Sequence, residues 1–516
     1  MKLHKNPLFY IISLYNVYAL YSINTNNNNC QKYKDFSRHY YSCYFDTEDE
    51  SLLDLEPIDV LIKYIDLSDD KLIREGLPKL KKDIENGEIR YCIRSILENI
   101  PWIKKIYILM PNQKVKYLKE ENEIKDKIIY LKDKDVLGFD SASSITFEFN
   151  FWRLKKFGIS ENFMYFNDDY FVGRKLKKKD FFYQINGKVV PYVLGKYGKF
   201  TKRKIERKVR KYNKVLLNRK NFKQDNLEYD MESYNSILFI YKLFGKRAIV
   251  RRFNHNAFGE NLNDNKEIYD ITLKYYHDPN SCVKALKREI NSMNYHYLHI
   301  NYLINRYKRK FKVLKTKYYD LKRNYGYYDL FVINRGGRKK YKQGDFGKSL
   351  IKMNNRFPIF NKYEKKDIED GYYKIENYFN SNMYINLNPN ENQLYLKEKN
   401  GTINDTFEIK FQNDGTYIIK NIDTDTYLGV SNIQVRDEFN IPLREYYFKF
   451  TKNFEGINQK WYILSNTDNY YYIVSGHNSK CVLSIFNKII HDNSKIFCLF
   501  PNGKKNQLFK LKKIHH

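Results

Sequence analysis

Short apolar runs alternate with segments of helical periodicity in the first third of the chain after residue 57. Each apolar run is four to nine residues long, and β-branched, leucine and aromatic residues dominate it, which is typical of buried strands. Four such runs predict strands: 58–66, 106–110, 128–131 and 163–166. The apolar positions of these runs are continuous rather than alternating, which favours strands covered on both faces.

Two segments between these runs have the spacing of amphipathic helices. Residues 88–100 place isoleucines and a leucine on one side, and Pro101 ends the predicted helix. Residues 143–157 predict the second helix, with Ser143 or Ser144 as its N-cap. Strands that alternate with helices predict an α/β domain with a parallel, Rossmann-like sheet.

The middle of the chain, from about residue 174 to 350, is more helical and strongly basic. Segment 202–214 predicts a solvated helix, because lysine and arginine occupy most of it. Segment 292–314 predicts a long amphipathic helix with an aromatic stripe. Because the stripe has helical spacing, we interpret it as core rather than as a nucleic-acid platform.

From residue 371 the pattern changes to short strands and turns that repeat three times. The repeats 371–387, 415–430 and 469–485 are each followed by a recurring aromatic residue. The Gln-x-aromatic spacing of the last two units resembles the ricin-type β-trefoil lectin repeat, whereas the first unit has Asp405 in place of glutamine. The resemblance implies an all-β trefoil at 370–516 whose repeated aromatics are core residues.

The N-terminus resembles a secretory signal peptide or signal anchor, since Lys2 and Lys5 precede an apolar run at 7–23. A buried helix is the alternative. We expect residues 1–45 to be this segment plus a stem, and the protein to enter the secretory pathway (Golgi lumen, cell surface or secreted), with membrane contact only through the anchor. Six cysteines without a CxxC pair permit disulfides, and two local pairs are plausible: Cys30 with Cys43, and Cys481 with Cys498.

The chain has 92 lysines and arginines against 60 acidic residues, a formal net charge of +32. Such a charge attracts anions, including nucleic acid and sugar nucleotides. However, lysine, asparagine, tyrosine and isoleucine are all abundant, and this compositional bias explains much of the charge. No zinc finger, P-loop or RNP motif accompanies it, so nucleic acid is not an expected partner.

Acidic residues follow two of the predicted strands. Asp66 ends the first run, and Asp168 and Asp169 follow the fourth. Adjacent carboxylates at the end of a buried strand must be solvated, paired or metal-bound. Because ligands bind beyond the carboxyl ends of the strands in open α/β sheets, we expect these carboxylates at a ligand site. An ordinary loop cap is the alternative for the aspartate pair.

Four ordered blocks, taken together, resemble the Stealth family of sugar-phosphate transferases. The first is 58–70, where Tyr64 and Leu67 replace the family's tryptophan and glycine. The second runs from residue 88 to 173, the third is 251–262 with the helix after 284–290, and the fourth is 329–364. The second block keeps seven family residues in its first part: Arg90, Tyr91, Arg94, Ser95, Pro101, Trp102 and Gln113.

The resemblance implies a transferase domain at 46–365 that uses a nucleotide sugar and a glycan acceptor. An acceptor hydroxyl would attack the β-phosphate of a UDP-sugar, such as UDP-N-acetylglucosamine, and form a sugar phosphodiester. It implies four catalytic residues: Asp169, His255, Glu148 and Arg288. It further implies five substrate-binding residues: Asp66, Arg90, Arg94, Asn167 and Gln113. Asp168 and Asp169 would hold Mg²⁺ or Mn²⁺, since hard divalent cations take carboxylate oxygens.

Other interpretations of the same residues stay open. Arg90 and Arg94, four residues apart on a helix, would by default form one solvated face. A histidine such as His255, taken alone, is more often structural than catalytic, and only the context of its block makes the two roles about equal. An ordinary metal-dependent glycosyltransferase, which releases UDP, uses a similar sheet and carboxylate pair. A non-catalytic glycan-binding protein is also compatible with the departures in the first block. A nucleic-acid binder that draws on the net charge is the last alternative.

Overall fold

A computed structural model describes most of the chain. The described residues are 50–66, 87–139, 141, 143–199, 207, 224–245, 248–253, 257–286, 289, 291–319, 328–333, 343–358, 360–399, 405–436, 442–466, 469–477, 481–485 and 491–514. Several predictions concern residues outside these ranges: the N-terminal apolar segment, Leu67, His255, Arg288 and the helix at 202–214. Of that helix only Arg207 is described. Among the described helices, none has the length and apolar character needed to cross a membrane.

The helices of the described residues are α1 (Glu50–Leu55), α2 (Glu88–Asn99), α3 (Glu121–Ile124), α4 (Asp133–Leu137), α5 (Ser144–Phe149), α6 (Gln224–Phe244), α7 (Leu262–Tyr275), α8 (Asn280–Val283), α9 (Tyr295–Tyr307) and α10 (Gln343–Arg356). The strands before the repeats are β1 (Asp59–Lys63), β2 (Ile106–Met110), β3 (Ile128–Lys132), β4 (Asn162–Asn167), β5 (Tyr170–Val172), β6 (Phe182–Ile185), β7 (Lys188–Pro191), β8 (Val193–Lys199), β9 (Arg251–Phe253), β10 (Phe258–Asn261), β11 (Phe311–Lys312), β12 (Thr316–Tyr319) and β13 (Leu330–Ile333).

The four strands predicted between residues 58 and 166 form one sheet. Its order is β10-β4-β1-β2-β3, in which β1 to β4 are parallel and β10 is antiparallel to β4. This is the 3-2-1-4 order of doubly wound folds, so β1 and β4 flank the point where the strand order reverses. The predicted Rossmann-like sheet is therefore confirmed, and its ligand-binding crevice lies beyond β1 and β4.

Two predicted helices are shorter than expected. The segment predicted at 143–157 divides at Asn150 into α5 and a 3₁₀-helix at Phe151–Phe157, and the Ser143 side chain makes no capping hydrogen bond. The helix predicted at 292–314 ends at Tyr307, because Lys308 is left-handed at φ 55° and the chain then joins strand β11. Its aromatic side chains are mostly buried, which confirms their interpretation as core.

The repeats form twelve strands: β14 (Gly371–Asn377), β15 (Met383–Asn388), β16 (Gln393–Glu398), β17 (Thr406–Phe411), β18 (Tyr417–Asn421), β19 (Thr426–Arg436), β20 (Pro442–Thr451), β21 (Lys460–Ser465), β22 (Tyr470–Ser475), β23 (Val482–Ile485), β24 (Ile496–Leu499) and β25 (Phe509–Ile514). Strands β14, β17, β18, β21, β22 and β25 pair in a closed ring. The remaining strands form three hairpins, one in each repeat. Six strands closed into a barrel with three hairpins are a β-trefoil, as predicted.

The recurring aromatics lie in the trefoil core, as expected. Phe407, Trp461 and Phe509 are completely buried in the same apolar cluster. Cys481 and Cys498 form a disulfide, which confirms the predicted pair. The trefoil also packs on the sheet domain, because one apolar cluster contains residues of both, including Leu350 of α10 and Tyr472 of β22.

Candidate functional site

The carboxyl edge of the sheet presents the carboxylates that the sequence singled out. Asp168 and Asp169 form the turn between β4 and β5, and both are half-buried. Asp66 lies three residues beyond β1, the strand next to β4, and Lys63 at the end of β1 is in register with Asn167. Asp66 and the aspartate pair therefore flank the strand-order reversal, where open α/β sheets bind their ligands.

Asp66 is buried, and its backbone is tied to the loop after β2. Its backbone N–H donates to the Gln113 side-chain oxygen at 3.0 Å, and the Gln113 amide donates back to the Asp66 carbonyl at 2.7 Å. The carboxylate accepts a hydrogen bond from Lys116 Nζ at 3.0 Å. Gln113 thus joins the ends of two strands, and the exposed ammonium of Lys116 brings positive charge to the edge.

Lys63, a charged residue within a buried strand, has a buried acidic partner. Its Nζ donates to both carboxylate oxygens of Asp133, at 2.8 and 2.9 Å, and lies 4.0 Å from the centre of the Phe147 ring. Asp133 is the first residue of α4 and is completely buried. This pair fixes the edge between β1 and β3 by a charge-assisted bond.

The turn that carries the aspartates is held from β4 and α2. The Tyr165 hydroxyl donates to the Asn167 side-chain oxygen at 2.7 Å, and the Cys92 thiol donates to the Asn167 carbonyl at 3.7 Å. Burial, with the negative charges of Asp168 and Asp169, raises the pKa of Cys92 well above its usual value. Cys92 is therefore a neutral thiol beside the carboxylates and not a nucleophile.

Arg90 and Arg94 are buried, so the solvated-face interpretation is wrong. Arg94 forms a bidentate pair with Glu364 in the fourth block, Nε to Oε1 and Nη2 to Oε2, both at 2.8 Å. Its Nη1 also donates to the Phe357 carbonyl at 2.9 Å. Arg90 Nε lies 3.0 Å from Glu364, and Arg90 Nη1 donates to Asp367 at 2.7 Å.

These contacts make a clamp, by which we mean Arg90, Arg94, Glu364 and Asp367. Burial alone would lower the pKa of Arg90, but Asp367 and Glu364 raise it above its usual value, so the guanidinium stays charged. The clamp ties α2 to the segment that leads into the trefoil. Phosphate contact by the two arginines stays a prediction; the contacts in the structure are those of positioning residues.

The clamp helix also holds the strand that follows the aspartates. Ser95 Oγ accepts from the backbone N–H of Val172 at 3.1 Å, and the Asn99 amide donates to the Val172 carbonyl at 2.9 Å. Cys92, Ser95 and Asn99 lie on one side of α2, and their hydrogen bonds hold Asn167 and Val172 at the two ends of the aspartate turn. The second and fourth blocks are thus physically connected to the carboxylate edge through this helix.

Glu148, the residue placed at the family's glutamate, is buried on α5. His296 Nε2 of α9 lies 3.3 Å from Glu148 Oε1. The carboxylates of Glu148 and Asp168 both lie within electrostatic range of the Tyr165 hydroxyl, whose pKa is raised first by burial and then by Glu148, Tyr170 and Asp168. The structure therefore brings Glu148 to the same neighbourhood as the aspartate pair.

A second buried acid–histidine pair lies beside the first. Glu260 of β10 accepts from the Asn265 amide at 2.9 Å, and His299 Nε2 lies 3.2 Å from its carboxylate. Burial raises the pKa of Glu260 well above its usual value, and burial lowers the pKa of His299 to about 3. Burial therefore disfavours the charged form of both groups.

Asp168 and Asp169 fit a divalent cation whose remaining ligands come from substrate and water. Among the described residues, no group of three or more histidine, cysteine or acidic side chains could hold a metal ion. Asp168 and Asp169 supply carboxylate oxygens at an accessible edge. Mg²⁺ commonly binds through one or two carboxylates, with substrate phosphates and water as the remaining ligands. Two aspartates are enough for such an ion, but they are too few for a metal site whose ligands all come from the protein.

The structure brings together Asp66, Gln113, Glu148, Asn167, Asp168 and Asp169 at the edge or directly behind it. Sequence reasoning missed Lys63 with Asp133, Lys116 and the two histidines of α9. A lysine inside an apolar strand and histidines three residues apart on an apolar helix are detectable signals, because such groups need partners when buried. Their partners come from distant segments, which a single sequence does not reveal.

A family model described as "Stealth protein CR2, conserved region 2" matches residues 82–190. This region is thus similar to Stealth conserved region 2. The resemblance inferred from the second block is therefore confirmed, and the Stealth region includes α2, three of the four parallel strands and the aspartate turn. The first, third and fourth blocks lie outside the matched residues.

Several proteins similar to this chain are named capsular or exopolysaccharide phosphotransferases. The capsular polysaccharide phosphotransferase cps1A of Actinobacillus pleuropneumoniae is 33% identical over 108 residues, which are 20% of this chain and 28% of that protein. The capsular polysaccharide phosphotransferase of Neisseria meningitidis serogroup B is 29% identical over 163 residues, 28% of this chain and 43% of that protein. The chain thus spans less than half the length of either relative.

Solved structures resemble the C-terminal part. The designed three-fold symmetric protein ThreeFoil is 20% identical, covers 28% of this chain and all (100%) of its own, and has a TM-score of 0.25. The Macrolepiota procera ricin B-like lectin in complex with lactose is 12% identical, covers 29% of this chain and 99% of its own, and has a TM-score of 0.24. At such values the trefoil assignment rests on the strand pairing described above.

Proposed function

We propose that this protein transfers a hexose-1-phosphate, such as N-acetylglucosamine-1-phosphate, from a UDP-sugar to a hydroxyl of a glycan acceptor. One observation carries the proposal: residues 82–190, which match the Stealth model, contain Asp168 and Asp169 and three of the four parallel strands of the sheet. The polysaccharide phosphotransferase names of the relatives supply the substrate class. The donor and the phosphodiester product are our extension of those names.

The reaction forms one bond and breaks one. The acceptor oxygen attacks the β-phosphorus of the UDP-sugar while the bond between that phosphorus and the bridging oxygen of the diphosphate breaks. UMP leaves with the bridging oxygen, and the acceptor proton passes to a base. Negative charge develops on the leaving phosphate, so cations and hydrogen-bond donors at the edge lower the barrier.

The acidic and basic residues at or near the edge have separate roles in this proposal. Asp168 and Asp169 would hold Mg²⁺ or Mn²⁺, which when bound neutralises phosphate charge. Glu148 would exchange the proton with the acceptor hydroxyl, a role that His255 of the third block would share. Lys116 and Arg288 would contact phosphate as cations. The clamp arginines would act indirectly, by holding the helix that grips the aspartate turn.

The trefoil would hold the enzyme on its glycan acceptor, which raises the local acceptor concentration. The proposal is motivated by the lectin-like repeats. We also propose that the protein acts in the secretory pathway or at the cell surface, which the N-terminal apolar run at 7–23 supports. The trefoil shares an apolar cluster with α10, so its deletion would expose core side chains such as Leu350. Glycan binding is therefore better measured on the full chain.

The decisive experiment identifies the nucleotide product. The full chain is incubated with UDP-N-acetylglucosamine, Mg²⁺ or Mn²⁺ and a panel of methyl hexosides, and nucleotides are separated by chromatography. Acceptor-dependent UMP supports the proposal, UDP indicates a glycosyltransferase, and nucleotide-sugar binding without turnover indicates a glycan-binding protein. Asp169→Ala should abolish UMP release, whereas the exposed Asp135→Ala should leave it unchanged. Activity that survives Asp169→Ala removes Asp169 from the mechanism.

A separate experiment addresses the trefoil. The Asp169→Ala chain is applied to an immobilised glycan panel with and without excess UDP-N-acetylglucosamine. Retention that the nucleotide sugar does not displace supports a glycan site on the trefoil. Binding to no glycan on the panel, or complete displacement by the nucleotide sugar, would show that the trefoil has another role.

A further inference from the structure

Glu148 and His296 form a buried acid–histidine pair that the proposed reaction has not yet used. Glu148 and His296 are each about 5% exposed and come from different helices, α5 and α9. Their side chains approach to 3.3 Å, Nε2 to Oε1. A buried carboxylate destabilises the fold unless it is paired or hydrogen-bonded, and His296 gives Glu148 such a partner.

The histidine ring is itself held in one orientation. It stacks on Phe258 at 4.3 Å between ring centres and on Tyr165 at 5.7 Å, and Tyr295 meets it edge-on at 5.6 Å. Tilting the ring out of its plane would break these stacked contacts. The aromatic residues therefore fix the plane of the imidazole, and the contact with Glu148 Oε1 at 3.3 Å sets the edge that carries Nε2.

The same aromatic packing connects the pair to the carboxylate edge. Tyr165 stacks on the His296 ring through its own ring and donates its hydroxyl hydrogen bond to Asn167, the residue before Asp168. Phe258, the first residue of β10, lies opposite Tyr165 in the sheet. The pair is thus built into the strands that present Asp168 and Asp169, rather than into a remote part of the core.

We propose that His296 is a positioning residue for Glu148. In the tautomer protonated at Nε2, His296 donates to Oε1 and leaves the second carboxylate oxygen to exchange a proton with the acceptor hydroxyl. A glutamate side chain has several rotatable bonds, so a fixed donor removes unproductive conformations before substrate binds. This inference rests on the proposed function, because it gives a role to a residue placed in that reaction.

The test separates the hydrogen bond from the packing. His296→Phe keeps an aromatic ring against Phe258 and Tyr165 but removes the donor, and His296→Gln restores a donor. The matched control is His299→Phe, which replaces an equally buried histidine on the same helix that faces Glu260 instead. All variants are full chains, compared by thermal unfolding and by steady-state UMP release at saturating and limiting UDP-N-acetylglucosamine.

We expect His296→Phe to lower kcat by at least about tenfold with KM for the nucleotide sugar changed less than about threefold, because the lost orientation acts on the chemical step. His296→Gln should recover part of kcat, and His299→Phe should retain most of it. In a Glu148→Gln background, His296→Phe should have little further effect on kcat, since both changes remove the same function.

The experiment distinguishes failure of the proposed function from failure of the inference about His296. If the wild-type chain releases no UMP with any acceptor, the proposed function fails and the inference falls with it. If the wild type is active while His296→Phe loses no more kcat than His299→Phe, or loses as much again in the Glu148→Gln background, only the inference is overturned. A loss of kcat that merely parallels the fall in unfolding temperature would likewise show a purely structural pair.

Discussion

The clamp offers the sharpest stability prediction. Arg94→Met removes two charge-assisted hydrogen bonds to Glu364 and one to the Phe357 carbonyl, all buried. Removal of one partner from a buried ion pair typically costs about 3–5 kcal/mol, chiefly because the remaining charge loses its partner. Glu364 would keep Arg90 Nε at 3.0 Å, so we expect the lower end, about 3 kcal/mol.

Urea unfolding followed by tryptophan fluorescence measures this cost. The chain has 3 tryptophans, with Trp102 and Trp152 in the sheet domain and Trp461 in the trefoil, so the signal reports both parts. The midpoint should fall while the urea dependence of the free energy stays constant. The urea midpoint of Arg94→Lys should lie between those of the wild type and Arg94→Met, because an ammonium keeps the charge but cannot reproduce the bidentate geometry.

A double-mutant cycle and an exposed pair provide the controls. Arg94→Met combined with Glu364→Gln should cost clearly less than the sum of the single changes, because neither charge is left alone. Arg174→Met removes a pair with Asp329 in which the arginine side chain is 57% exposed, and should cost at most about 1 kcal/mol. If Arg94→Met costs no more than Arg174→Met, or if the cycle is additive, the clamp does not stabilise the fold as we argue.

Three further changes probe the trefoil and the buried acids. Gly347→Ala should destabilise by about 1–3 kcal/mol, because a Cβ would lie 2.2 Å from the Tyr472 hydroxyl and 2.8 Å from a backbone carbon of the trefoil. Reduction of the disulfide that closes a 17-residue separation should cost about 3 kcal/mol, measured by unfolding with and without reductant. Burial raises the pKa of Asp264 to about 6, so its contribution to stability should fall as pH rises from about 4 to 6 and be absent in Asp264→Asn.

The glycine and aspartate changes each have a comparison that isolates the cause. Lys348→Ala, beside Gly347 on α10, adds no atom toward the trefoil and should be nearly neutral. For the acid, the sign follows from a folded-state pKa above the unfolded one: the folded protein binds the proton more tightly, so acid favours folding in that window. A difference between wild type and Asp264→Asn that grows in the opposite direction would contradict the assigned burial effect.

The local pattern of the chain was sufficient to predict most elements near the site. The strands at 106–110 and 163–166 match β2 and β4 closely, because buried parallel strands need continuous apolar runs that the sequence displays directly. The same holds for the trefoil, whose three repeats display the symmetry of the barrel. Asp168 and Asp169 were found for a related reason, since carboxylates directly after such a run can only lie at its end.

The partners of buried charges were not predictable in this way. Arg90 and Arg94 look like a solvated helix face in the sequence. In the structure their guanidinium groups pair with Glu364 and Asp367, about 270 residues later in the chain. Glu148 likewise meets His296 only because α5 and α9 pack together. Secondary structure follows from neighbours along the chain, whereas a buried charge is stable only beside its counter-charge, and the tertiary structure alone decides which segment supplies it.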